Sequence, residues 1–96
     1  MSRATRLGDQ NTGHDACPPV PLASGSPDVY INGRPAGRVG DPYSGHGCRI
    51  HPAHVGTISS GSATVYINGR KAGRVSDAVS CGGAVQEGSD DVMIGG

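Results

Sequence analysis

Short β-favouring runs alternate along this chain with long polar, glycine-rich stretches. Val29-Tyr30-Ile31 and Val65-Tyr66-Ile67 are β-branched and aromatic triplets, and successive side chains in such a run point to opposite faces. Asn32-Gly33 and Asn68-Gly69 follow at once, and Asn-Gly is the strongest short-range signal for a two-residue hairpin turn. The chain then returns through Ala36, Arg38 and Val39, or through Ala72, Arg74 and Val75. The pattern predicts two hairpins, with strands near 28–31 and 35–39 and near 64–67 and 71–75. The triplet Val92-Met93-Ile94 begins a third.

These runs are copies of one unit. Residues 25–41 recur without a gap as 61–77, 36 residues further on, and 88–96 is a truncated third copy. Thr5-Arg6-Leu7-Gly8-Asp9 resembles the end of a unit, Arg38-Val39-Gly40-Asp41, so the chain reads as three cycles with the breaks displaced. A lone hairpin is marginal, and three must stack to bury their Val and Ile faces. The expectation is one all-β domain over residues 1–96, a compact pseudo-threefold structure of hairpins with few or no helices.

Composition makes that core thin. Of 96 residues 34% are hydrophobic; there is no Phe or Trp, only three Tyr, and Gly and Pro number 17 and 7. Such a chain is either disordered or stabilised by a metal or a partner. Eight basic residues balance eight acidic ones with no run of like charge, which removes the electrostatic footprint of a nucleic-acid binder. No apolar stretch approaches the roughly 20 residues needed to span a bilayer. No apolar segment follows Met1-Ser2-Arg3-Ala4-Thr5-Arg6, so no secretory signal is read and the expected starting compartment is the cytoplasm.

All four histidines and all three cysteines fall between the hairpins, within 9–25, 41–61 and 77–88. Three cysteines suit a disulfide framework poorly and suit burial or metal ligation better. Structural zinc takes four Cys or His ligands. Repeat register selects among the candidates: His14 follows Asp9 by five residues and His46 follows Asp41 by five. His54 precedes Gly61 by seven residues, as Cys81 precedes Gly88. The expected ligand set is His14, His46, His54 and Cys81, with His51 as a reserve and zinc favoured over iron. Cys17 and Cys48 have weaker register and read as buried thiols. No local C-x-x-C or H-x₃-H pair occurs, so the assignment rests on the repeat.

Catalytic readings are weaker. A catalytic zinc needs an open position and a carboxylate base. Asp15 beside His14 is the one obvious acid, and it reads as a solvated loop residue. A Cys48 nucleophile with His46 or His51 stays open as an arrangement, but apolar and aromatic residues to line a substrate pocket are lacking. The glycine spacing fits neither a P-loop nor a dinucleotide fingerprint.

Gly33-Arg34-Pro35-Ala36-Gly37-Arg38-Val39-Gly40-Asp41, its copy at 69–77, and the Gly-Ser-x-x-Val-x-Ile-Asn-Gly lead-ins resemble the PAAR-repeat proteins over essentially the whole chain. Gly replaces the second Ala of the motif in both copies, an exchange expected to be mild, and Ser76 replaces a Gly. The resemblance implies a short cone of β-hairpins with zinc near its apex, capping the trimeric VgrG spike of a type VI secretion system. It further implies effector cargo and transient contact with a target membrane after the spike is fired. Val29, Ile31, Val65, Ile67, Val92 and Ile94 are then the expected core or base strands, and the candidates for meeting the trimer. The rival classes are a small zinc-dependent hydrolase or toxin delivered by the same apparatus, and a free-standing zinc-stabilised adaptor. The last repeat runs directly into Gly96, which reads against an appended toxic domain.

Overall fold

A computed structural model of the chain describes residues 2–13, 18–44, 56–80 and 82–96. Its strands are β1 Ser2–Arg3, β2 Tyr30–Ile31, β3 Arg34–Pro35, β4 Tyr66–Ile67, β5 Arg70–Lys71 and β6 Met93–Ile94. They pair antiparallel as β2 with β3, β4 with β5, and β1 with β6. The first two pairs are the hairpins read from the sequence. In each, Asn (Asn32, Asn68) at φ 54° and Gly (Gly33, Gly69) at φ 78° form the turn. Two consecutive positive φ values match the right-handed twist of the flanking strands, which is why Asn-Gly is used there. The third pair joins the two ends of the described chain, with Ser2 opposite Ile94 and Arg3 opposite Met93. The displaced third cycle is thus completed by residues from the beginning of the sequence. The described residues contain no helix, so the all-β reading holds.

The strands are shorter than the apolar pattern suggests, because each return limb changes partner. Pro35 faces its own hairpin, but Ala36 bridges Arg6, Arg38 bridges Ala72, and Arg74 bridges Ala4. Three segments therefore close a ring above the hairpins. A second, wider ring lies beyond it, through Gln10–Pro21, Leu22–Tyr43, Pro42–Thr57, Ile58–Val79, Ala78–Ala84 and Val85–Asn11. The molecule measures 37 × 24 × 22 Å. The end carrying the three strand pairs is the base of the molecule.

Two small cores fill the rings. Ala4, Ala36 and Ala72 pack with Ile31, Ile67 and Ile94 in the lower one. Leu22, Tyr43, Ile58, Val79 and Val85 make the upper one. Equivalent residues from three units meet where space is short, so large side chains are matched with small ones. Thr5, Gly37 and Gly73 occupy the same position in their units, and only one of them carries bulk. A Cβ on Gly37 would stand 2.7 Å from Thr5 Cγ2 and 2.9 Å from Leu22 Cδ2. Gly in place of the motif's second Ala is therefore matched by the methyl of Thr5, and the two residue types are not interchangeable here.

Tyr43 follows the same logic. It is the one large side chain at a position filled by Asn11 and Val79 in the other units, and it is 1% exposed. Its hydroxyl is buried without a hydrogen-bond partner among the described residues. Burial, reinforced by the carboxylates Asp9 and Asp77, pushes its ionisation well above the ordinary tyrosine range. An unsatisfied buried hydroxyl costs about 1–3 kcal/mol. Tyr43→Phe is accordingly expected to raise stability by about 1 kcal/mol, read as a higher denaturant midpoint with an unchanged slope. Lower stability of the Phe variant would mean that the hydroxyl has a partner in solution.

Candidate functional site

Each seam between units is built on the last residues of the repeated motif. Arg6, Arg38 and Arg74 pair with the Asp three residues on, at 2.9 Å to Asp9, 2.9 Å to Asp41 and 3.1 Å to Asp77. The same carboxylates accept the backbone N–H of Arg6, Arg38 and Arg74 at 2.8–2.9 Å. The short turn between Arg and Asp is made by Gly8 and Gly40 at φ 90° and 93°, and in the third unit by Ser76 at φ 81°. The hydrogen-bonded carboxylates hold all three guanidiniums above their ordinary value, firmly charged. A second arginine reaches across two seams: Arg34 lies 3.3 Å from Asp9 and Arg70 lies 3.1 Å from Asp41. Asp77 instead receives the Ser60 hydroxyl at 3.3 Å. Ser2 stands at the third copy of the Arg34 and Arg70 position, so among the described residues this seam has no second arginine.

A smaller network ties each hairpin turn to its neighbour. Asn32 Oδ1 accepts from Ser89 Oγ at 2.6 Å and Arg6 Nη1 at 3.0 Å, while its Nδ2 donates to Asp91 at 3.0 Å. Asn68 repeats this with Ser26 at 2.6 Å, Arg38 at 3.1 Å and Asp28 at 2.8 Å. At the third seam the Gly95 carbonyl takes the place of the amide oxygen, accepting from Ser62 and Arg74. Hydrogen bonds from Asn68 and then Ser26 hold the Asp28 carboxyl below its ordinary 3.8, and Asn32 and Ser89 do the same for Asp91. A carboxylate depressed in the folded state stabilises it above the unfolded value, and that contribution is lost as pH falls through the folded one. Stability is expected to decline below about pH 4. Asp28→Asn/Asp91→Asn should remove this share of the acid dependence, as denaturant midpoints measured through the acid range will show.

At the base, Ile31, Ile67 and Ile94 turn inward to the lower core. Val92 is half-buried against it, while Val29 and Val65 are exposed. Tyr30, Tyr66 and Met93 are exposed at 58%, 55% and 46%. Equivalent positions of the three strand pairs thus each carry an exposed large apolar side chain. Beyond the hairpin ladders, no backbone hydrogen bond among the described residues engages Tyr30, Tyr66 or Met93. Strands β2, β4 and β6 thus each present an unpaired edge. Sequence reasoning put the Val and Ile positions together and passed over Tyr30, Tyr66 and Met93. Alternation of faces was the signal, since an inward Ile turns the residue before it outward. Val29 and Val65, expected on the isoleucine face by the same rule, are nonetheless exposed at the strand ends.

His14, Cys17, His46, Cys48, His51, His54 and Cys81 lie outside the described residues. Among the described residues no cluster of three or more His, Cys, Asp or Glu could hold a metal ion. The residues flanking the undescribed segments are joined at the end away from the base. Thr12 N donates to Ala84 O at 2.9 Å, Tyr43 N to Gly56 O at 2.8 Å, and Ser80 N to Thr57 O at 2.8 Å. Gly83 lies so close to the Gly13 carbonyl that no side chain would fit between them.

A single chain that builds a threefold β structure from an Ala-Gly-Arg-x-x-Asp unit, with its His and Cys falling between the hairpins in sequence, is a β-hairpin repeat protein. The model of the PAAR motif family matches residues 2–52 and 50–96, and the chain belongs to that family. No match was found among curated proteins. The motif now has a physical content in this chain: Ala fills the axis, Gly admits its neighbours, and Arg closes the seam. Membership makes association with a secretion-system spike the general expectation for the chain.

Proposed function

We propose that this protein is a structural cap for the threefold end of a VgrG-type spike, seated by its base. The observation that carries the reading is the set of three unpaired strand edges, β2, β4 and β6, at equivalent positions on one end. Unpaired edges are an aggregation hazard in a free protein and a template for strand addition in a complex. Three of them around one axis match a partner with three chains. Val29, Val65 and Val92 flank the edges, and Tyr30, Tyr66 and Met93 supply the apolar contact. Ile31, Ile67 and Ile94 hold the strands in place from inside.

At the opposite end the reading assigns one structural zinc to His14, His46, His54 and Cys81, with His51 able to replace a histidine. The donor set suits zinc, being neutral imidazoles with one thiolate. The joined flanks at 12–13, 43–44, 56–57, 79–80 and 83–84 support a common point for the ligands. In this reading the ion stabilises the far end, the chain performs no catalysis, and it rides from the cytoplasm on the fired spike, carrying any effector with it. The test is co-elution with a trimeric spike protein combined with hydrogen exchange. Protection should appear at 29–31, 65–67 and 92–94. Protection confined to the opposite end would reverse the orientation, and absence of a complex would overturn the reading.

A further inference from the structure

The two hairpin turns carry a chemistry that the capping role does not use. Asn32-Gly33 and Asn68-Gly69 are exposed, and nothing stands within 4 Å of where a side chain on either Gly would be. An asparagine followed by an unhindered glycine is prone to cyclise. The glycine backbone nitrogen attacks Cγ of the asparagine, a C–N bond forms, and the Cγ–Nδ2 bond breaks. Ammonia leaves with the proton from the glycine N–H. Water then opens the succinimide to aspartate or isoaspartate, and no oxidant or reductant is needed.

We propose that Asn32 and Asn68 are sites of spontaneous deamidation, gated by the seams they close. Both ends of each amide are occupied in the folded protein. Oδ1 accepts from a serine and an arginine of the neighbouring unit, and Nδ2 donates to Asp91 or Asp28. Cyclisation must break these contacts, so the reaction proceeds through the opened seam. Its product then prevents the seam from closing as before. The amide that donated at 3.0 Å to Asp91, or at 2.8 Å to Asp28, becomes a carboxylate facing a carboxylate. The third seam uses the Gly95 backbone carbonyl and is immune. Two of three seams therefore carry an irreversible record of having been open.

The intact protein is incubated in mildly alkaline buffer, with and without urea, and conversion is followed by peptide-mapping mass spectrometry. Conversion of Asn32 and Asn68 is expected to be at least about tenfold slower in the folded protein, as a seam-opening equilibrium of 1:10 or less requires. Asn11, followed by Thr12, should lag both in urea. Equal rates in the two conditions would overturn the gating, and no conversion in urea would overturn the site. The consequence is tested with Asn68→Asp, which should raise hydrogen exchange at 66–71 relative to wild type. Adding Asp28→Asn restores a donor opposite the new carboxylate and should reverse that rise. If Asn68→Asp exchanges as wild type does, or if the second change fails to reverse the effect, carboxylate repulsion is not the consequence. If Asn68→Asp does not fold alone, recovery of folding in the double variant supports the repulsion, and continued failure to fold overturns it.

Discussion

Asp41→Ala is expected to cost about 3–5 kcal/mol, the range for breaking a buried ion pair by removing one partner. Domains of this kind have total stabilities of roughly 5–15 kcal/mol, so the variant should be partly unfolded at ambient temperature. The size follows from what Asp41 serves. Its side chain is 2% exposed and that of Arg38 is 8%, so Arg38 would be left buried without a counter-charge. The carboxylate also accepts the Arg38 backbone N–H at 2.8 Å and the Arg70 guanidinium at 3.1 Å. Asp77→Ala should be milder. Among the described residues no second arginine reaches Asp77, and the Arg74 side chain is 17% exposed and can recover water. Equilibrium denaturation of the two variants checks the order. An Asp77 loss equal to or greater than that of Asp41 would mean that the seams are held by something other than these clamps.

The second large effect concerns the metal. One zinc per chain is expected in protein purified without chelator. A site kept 100-fold above its Kd adds about 2.7 kcal/mol to folding. A domain of this size changes Tm by roughly 4–8 °C per kcal/mol, so chelation should lower Tm by about 10–20 °C. His14→Ala and Cys81→Ser should each abolish the zinc-dependent part of Tm. Comparing His51→Ala with His54→Ala identifies the ligand between those two, since only the ligand's loss changes zinc stoichiometry. Wild-type protein that purifies without metal and keeps its Tm in chelator would contradict the assignment. The thin composition is the physical ground for a large effect: the two described cores contain five and six buried residues, of which three are alanines.

Much of this architecture was legible in the chain because a gapless repeat constrains what can stack. Asn-Gly after Val-Tyr-Ile marked both hairpins, and the likeness of 5–9 to 38–41 foretold that the beginning of the chain completes the third unit. The lengths of the strands were not legible. Ala36 and Arg38 are as suited to the hairpin as to the ring, and only the closeness of Arg6 and Ala72 in three dimensions draws them away. The same holds for the clamps. Arg34 and Arg70 follow the Asn-Gly turns with no acidic residue beside them in sequence, and their carboxylates lie 25 and 29 residues away. The matching of Thr5 against Gly37 and Gly73 was hidden because each residue looks ordinary in its own unit. It becomes intelligible only when three units share an axis. Of the base residues, the isoleucines were placed by alternation, and the outward Tyr30, Tyr66 and Met93 follow from the same rule.

The capping account stands or falls on the base. The direct measurement is the affinity of the folded protein for a trimeric VgrG-type spike, compared with that of Tyr30→Asp/Tyr66→Asp/Met93→Asp. These side chains are exposed in the free protein, so the variant should keep its fold and its denaturation midpoint. The account predicts one chain bound per trimer and at least about 30-fold weaker binding by the variant, the loss expected when interface anchors worth 2 kcal/mol or more are removed. A variant that folds and binds the spike as tightly as wild type would contradict it.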